Sequence, residues 1–124
     1  MLKTVTYNQT TRLRALGYPV VFGEYFYIEE KGTGKGKLHK RGDPDPSFDI
    51  EKEYNLYPAP YLCEVEVWLA KEKNIYLDII FSEATLTYTV VGIVYPDRKT
   101  KICSEGFSSR EDAINRALCS VLWN

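Results

Sequence analysis

The stretch Gly32-Thr33-Gly34-Lys35-Gly36-Lys37 holds the residues of this chain that come nearest to phosphate chemistry. A phosphate-binding loop needs G-x-x-x-x-G-K-[ST] between a strand and a helix, so that backbone amides and a helix N-terminus cradle the anion. Leu38 stands where the Ser or Thr belongs and no helix signal follows, so the stretch reads as a hairpin turn. Lys35, Lys37, Lys40 and Arg41, together with Lys31 and His39, form the one basic cluster and the candidate contact with a nucleic-acid backbone. The acidic run Asp43, Asp45, Asp49, Glu51 and Glu53 follows directly and offsets that field.

Other reactive residue types are scattered. His39 is the single histidine, set in a polar segment with neither a cysteine nor a second histidine to complete a metal site or a catalytic pair, and is expected to be solvated. Cys63, Cys103 and Cys119 are odd in number and lack C-x-x-C spacing, which argues against a disulfide framework and a zinc site and points to small buried hydrophobes. The pairs Glu64/Glu66 and Glu29/Glu30 suit solvated faces; acid–base work would need a pocket to perturb them. No catalytic residues, metal ligands or cofactor are therefore expected.

The aromatic residues fit a tyrosine-rich sheet first and a binding surface second. Tyrosine occurs 10 times, and its large ring with a polar tip suits half-buried strands and contact surfaces alike. Tyr54, Tyr57 and Trp123 are the candidate partner-binding residues, whereas Trp68 is expected to pack a helix onto a sheet.

The elements that would position these residues follow from patterning. At 124 residues the length implies one domain, 1–124, with a single core. The net charge of -1 supplies no whole-molecule drive toward nucleic acid or anionic membrane. No run approaches a membrane span and the N-terminus lacks an apolar signal region, so a cytoplasmic protein with reduced thiols is expected.

Thr6 and Gln9 make a capping box for a first helix that carries Leu13 and Leu16, with Gly17 and Pro19 ending it. Val20 to Ile28 reads as a strand, with Lys37 to Lys40 returning beside it. The span 42–58 reads as one long polar loop, with Phe48, Ile50, Tyr54, Leu56 and Tyr57 as anchors. Tyr61 to Lys73 fits both a strand, through alternating Cys63, Val65, Val67 and Leu69, and a helix, through Leu62, Val65, Trp68 and Leu69. Ile75 to Phe81, Thr85 to Tyr95 and Lys99 to Ser104 read as an antiparallel meander, with Gly92 marking a bulge or a close backbone approach. Ser108 and Glu111 suggest a capping box for a last helix carrying Ala113, Ile114, Ala117, Leu118, Val121 and Leu122.

Tyr57-Pro58-Ala59-Pro60-Tyr61, then Val65, Trp68-Leu69 and Lys71-Glu72-Lys73-Asn74-Ile75, resembles a segment of small uncharacterised proteins carried by prophages and mobile elements of gut anaerobic bacteria. Thr6 to Tyr18 resembles their first helix and Phe107 to Ala113 the start of their last, in the same order. The Gly/Lys turn and the Asp-Pro-Asp-Pro loop depart from that pattern. The resemblance implies a helix over 61–73 and a mobile-element accessory; it carries no activity.

The fold expected is α+β, α-β-β-α-β-β-β-α, with helices on one face of a mainly antiparallel sheet. The function expected is non-catalytic, by binding an unidentified protein partner or by forming a homodimer. The alternative is a nucleic-acid-binding module using the hairpin 31–41.

Overall fold

In the computed structural model, which describes residues 2–43, 51–102 and 105–123, the element order is α-β-β-β-α-β-β-β-α. The chain divides into two compact units, Thr4–Pro60 and Met1–Lys3 with Tyr61–Asn124. Each is a mixed α+β arrangement around its own three-stranded antiparallel sheet.

The Thr4–Pro60 unit begins with α1 (Tyr7–Ala15). Thr6 Oγ1 accepts from the Gln9 amide at 3.2 Å while Gln9 Oε1 accepts from the Thr6 amide at 2.9 Å, so the capping box forms as its spacing requires. At the other end Tyr18 N–H returns to the Leu13 carbonyl and Gly17 N–H to that of Arg14, both at 3.0 Å. This is a Schellman stop, and it needs the positive φ of 95° that Gly17 adopts without steric cost.

The sheet order is β2-β1-β3, from β1 (Tyr25–Glu30), β2 (Gly36–Lys40) and β3 (Tyr54–Pro58). Pairing of Tyr27 with both Leu38 and Tyr57 sets the register. On that face the Tyr7 ring lies edge-on to Tyr27 and Tyr57, at 6.0 and 5.7 Å, and directly over Gly36. Tyr27 Oη donates to the Val5 carbonyl at 2.7 Å.

Two expectations are corrected here. Val20–Gly23 is not strand: β1 starts at Tyr25, because neither neighbouring ladder extends past Lys40 or Pro58, and β propensity without a partner strand forms nothing. Nor is 42–58 one loop, since Tyr54–Pro58 is β3. Pro58 made that segment look like a connection; on an edge strand its missing N–H costs no ladder bond. Asp45, Phe48, Asp49 and Ile50 lie outside the described residues.

The other unit settles the ambiguous tract as a helix, α2 (Leu62–Lys73), burying Leu62, Val65 and Leu69. Glu64 Oε1 accepts from the Tyr61 amide at 3.2 Å, and Asn74 turns left-handed (φ 53°) to end it. End signals decided where local propensity did not.

β4 (Tyr76–Ser82), β5 (Thr87–Val94) and β6 (Lys99–Lys101) form the second sheet in sequential order. A bulge places the extra residue, Val91, on β5 opposite the Asp78/Ile79 step. Gly92 beside it leaves room for the Lys99 stem, which crosses to an ion pair with Asp78 at 2.9 Å.

α3 (Arg110–Leu122) lays Ala113 and Ala117 against Val90, with Leu77, Ile79, Tyr88, Ile102 and Phe107 around them. Its cap is Ser109 rather than Ser108: Ser109 Oγ accepts from the Asp112 amide at 3.1 Å. Asp112 in turn ion-pairs with Lys3, which holds the α3 start in place.

Candidate functional site

The basic cluster does not gather on one surface. Lys37 and His39 alternate with Lys40 along β2, so Lys37 and Lys40 point to opposite faces of the sheet. Lys31 pairs with Glu53 at 2.9 Å and Lys40 with Glu24 at 3.6 Å, while Arg41 Nη2 donates to the Phe22 carbonyl at 2.9 Å. Lys35 and Lys37 stay exposed, without an ion pair among the described residues. His39 is half-buried rather than solvated, stacked on Phe26 at 5.8 Å, because β2 delivers it to the face that carries Phe26.

The aromatic candidates are divided between the units. Tyr57 is half-buried, with Tyr7 at its edge and the Arg14 guanidinium 5.2 Å over its ring. Tyr54, also half-buried, pairs with Glu30 at the start of β3. Trp123 closes α3 and is 45% exposed. Trp68 is half-buried on α2, with the Lys73 ammonium 5.7 Å from its ring.

The helix starts of α2 and α3 bring together one cluster of chemical residue types. Arg110 holds Glu66 in a fork–fork pair, both N–H···O distances 2.8 Å. Because Ser109 takes the cap, Glu111 stands one position short of the reach-back place, and its Oε2 is buried with no hydrogen-bond partner. Cys63 feels that carboxylate: burial first, then the charges of Glu111 and Glu64, push its thiol up from the ordinary 9.0. Such a thiol stays protonated at neutral pH and is a poor nucleophile. Cys63 is a free thiol; Cys103 lies outside the described residues. Among the described residues no group of three His, Cys, Asp or Glu side chains is arranged to hold a metal.

One open apolar strand edge is a feature the sequence did not single out. β4 is an edge strand of seven residues to which no described strand pairs on its outer side. Tyr76, Ile80 and Phe81 are 52%, 50% and 47% exposed along it. Tyr88 commits its N–H and C=O to Phe107, at 2.8 and 2.7 Å, on the side of β5 away from β4. Phe81, directly across from Tyr88, is therefore in a non-hydrogen-bonded pair and turns its own N–H and C=O outward. Alternation along β4 gives Ile79 and Leu77 the same outward direction.

The available signal was compositional: Tyr-Leu-Asp-Ile-Ile-Phe-Ser carries one charge and no Pro or Gly, which marks a strand with an unguarded edge once its place in the sheet is known. No helix is long and apolar enough to cross a membrane among the described residues. Comparison with protein-family models, with curated proteins and with solved structures gives no match.

Proposed function

We propose that this chain is a non-catalytic accessory protein that acts by protein–protein binding through the outer edge of β4. The observation that carries the reading is the coincidence, on one strand, of outward backbone groups at Leu77, Ile79 and Phe81 with exposed Tyr76, Ile80 and Phe81 side chains. A strand in that state is completed by another strand, whose main chain supplies hydrogen bonds and whose side chains meet Tyr76 and Ile80 on one face and Phe81 on the other. Tyr54, Tyr57 and Trp123 become supporting candidates, with Trp123 the most open of the three. The segments that resemble mobile-element proteins support a place among such accessories, and the free thiol of Cys63 suits a cytoplasmic setting.

The test is affinity capture by tagged protein, wild type against Ile80→Lys, with each lysate split into nuclease-treated and untreated halves. A protein partner that survives nuclease and is lost on Ile80→Lys supports the reading; partners unaffected by the substitution remove β4 from it. Exposed Lys35 and Lys37 favour a second reading, contact with nucleic acid. It requires recovery of nucleic acid, steep weakening with salt, and loss when Lys35, Lys37, Lys40 and Arg41 are neutralised together.

A further inference from the structure

We infer that the occupant of the β4 edge is β4 of a second copy of this chain, paired antiparallel about a two-fold axis at Ile79. The inference rests on the reading of β4 as the binding surface and names its partner. A two-fold interface must be self-complementary, so the strand must satisfy its own requirements when reversed.

With the axis at Ile79, Ile79 faces Ile79 of the second copy and Leu77 faces Phe81. These three positions are the ones with outward N–H and C=O groups, so every outward donor meets an outward acceptor in hydrogen-bonded pairs. Shifting the register by one residue would set outward groups against inward ones and lose the ladder. On the face away from α3, Ile80 lies opposite Asp78 and Tyr76 opposite Ser82, so no like charges oppose each other. Asp78 is already neutralised by Lys99 of its own chain, so pairing buries no uncompensated charge.

Charge at the strand ends completes the match. Lys73 precedes β4 and Glu83 follows it, and reversal brings the lysine end of one copy to the glutamate end of the other. In this register Glu83 faces Ile75; Lys73, the last residue of α2, lies two residues before Ile75 and would leave the Trp68 ring to meet the carboxylate.

Sedimentation equilibrium from micromolar to millimolar concentration tests the pairing. The wild type is expected to show a monomer–dimer equilibrium. Phe81→Pro removes an outward N–H without touching the β4–β5 ladder, and is expected to weaken dimerisation about a hundredfold or more. Glu83→Lys should weaken it up to about fivefold, and Lys73→Glu combined with Glu83→Lys should restore it. Circular dichroism checks that Phe81→Pro is folded; if it is not, the surface charge pair decides by itself.

A chain monomeric at millimolar concentration, or a dimer indifferent to these changes, overturns the inference. If the monomeric chain still captures a partner that Ile80→Lys abolishes, the β4 binding surface stands with a foreign strand as occupant. If neither is seen, both readings fall.

Discussion

The sheet of β1, β2 and β3 and the sheet of β4, β5 and β6 each have three antiparallel strands, and so each presents two edges. Three of those four edges are protected. β2 carries exposed Lys37 and Lys40; β3 is five residues long, ends in Pro58 and gives its last carbonyl to Thr10 of α1 at 2.6 Å; β6 is three residues with Lys99 and Lys101 exposed. These are the ordinary devices against edge-to-edge association: charge, proline, brevity and a covering helix. β4 has no proline, is longer than any other edge and has no covering helix among the described residues; its one charge, Asp78, is paired with Lys99 of its own sheet. The contrast shows that this chain can protect an edge, which makes the bare one a feature to be explained.

The largest effect should come from erasing the contrast. Replacing both Lys99 and Lys101 with Val gives the β6 edge the character of β4. The double variant is expected to form higher species in sedimentation velocity where the wild type stops at a dimer, because a second adhesive edge permits open-ended growth. Lys99→Val also frees Asp78, so Lys101→Val alone is the cleaner control and should show a weaker form of the same behaviour.

A second contrast lies in how each sheet uses a glycine. At Gly36 an added methyl would sit 2.1 Å from the Tyr7 ring, which is itself fixed between Tyr27 and Tyr57. At Gly92 the methyl would meet the flexible Lys99 stem at 2.7 Å and the Thr100 carbonyl at 3.0 Å. Gly36→Ala should therefore cost about 2–3 kcal/mol and Gly92→Ala about 1 kcal/mol in urea denaturation. Equal costs would mean that the two approaches are equally unyielding.

Much of the fold was legible where a signal was local. The Thr6–Gln9 box, the Gly17 stop, the α3 stripe and the close approach at Gly92 all appear where their residue types require them. What was not legible depended on partners. β3 was hidden because its pairing with β1 is non-local and Pro58 disguised it; Val20 and Val21 look like strand yet have no strand to pair with, and stand 52% and 67% exposed. The candidate site was lost the same way. The packing of Tyr7 and Arg14 against Tyr57 could not be read from spacing, and β4 looked like any core strand until its place in the sheet order was known.

The α3 cap shows how fine that boundary is. Both Ser108 with Glu111 and Ser109 with Asp112 satisfy the spacing, and only the latter forms its bond. Ser109→Ala is expected to cost about 1 kcal/mol by thermal or chemical denaturation, and Ser108→Ala a few tenths at most. Neither should alter dimerisation, which separates helix stability from edge chemistry.

A further modest effect concerns the two left-handed residues that flank β4. Asn74 before it has φ 53° and Leu86 after it has φ 54°. Asparagine tolerates that conformation through its short polar side chain, whereas for leucine the contact of Cβ with the following carbonyl costs about 1 kcal/mol. Leu86 is 70% exposed, so its side chain recovers little of that by burial. Leu86→Asn should therefore raise stability by about 0.5–1 kcal/mol, and Asn74→Leu should lower it by a similar amount. The dimer readout gives the pair its second use. Leu86 lies beyond Glu83, past the end of the strand that pairs, so Leu86→Asn should leave association unchanged while Ile80→Lys abolishes it. Weaker association in Leu86→Asn would extend the interface to the hairpin tip and move the difference between the two sheets from the edge of β4 to the whole β4–β5 hairpin.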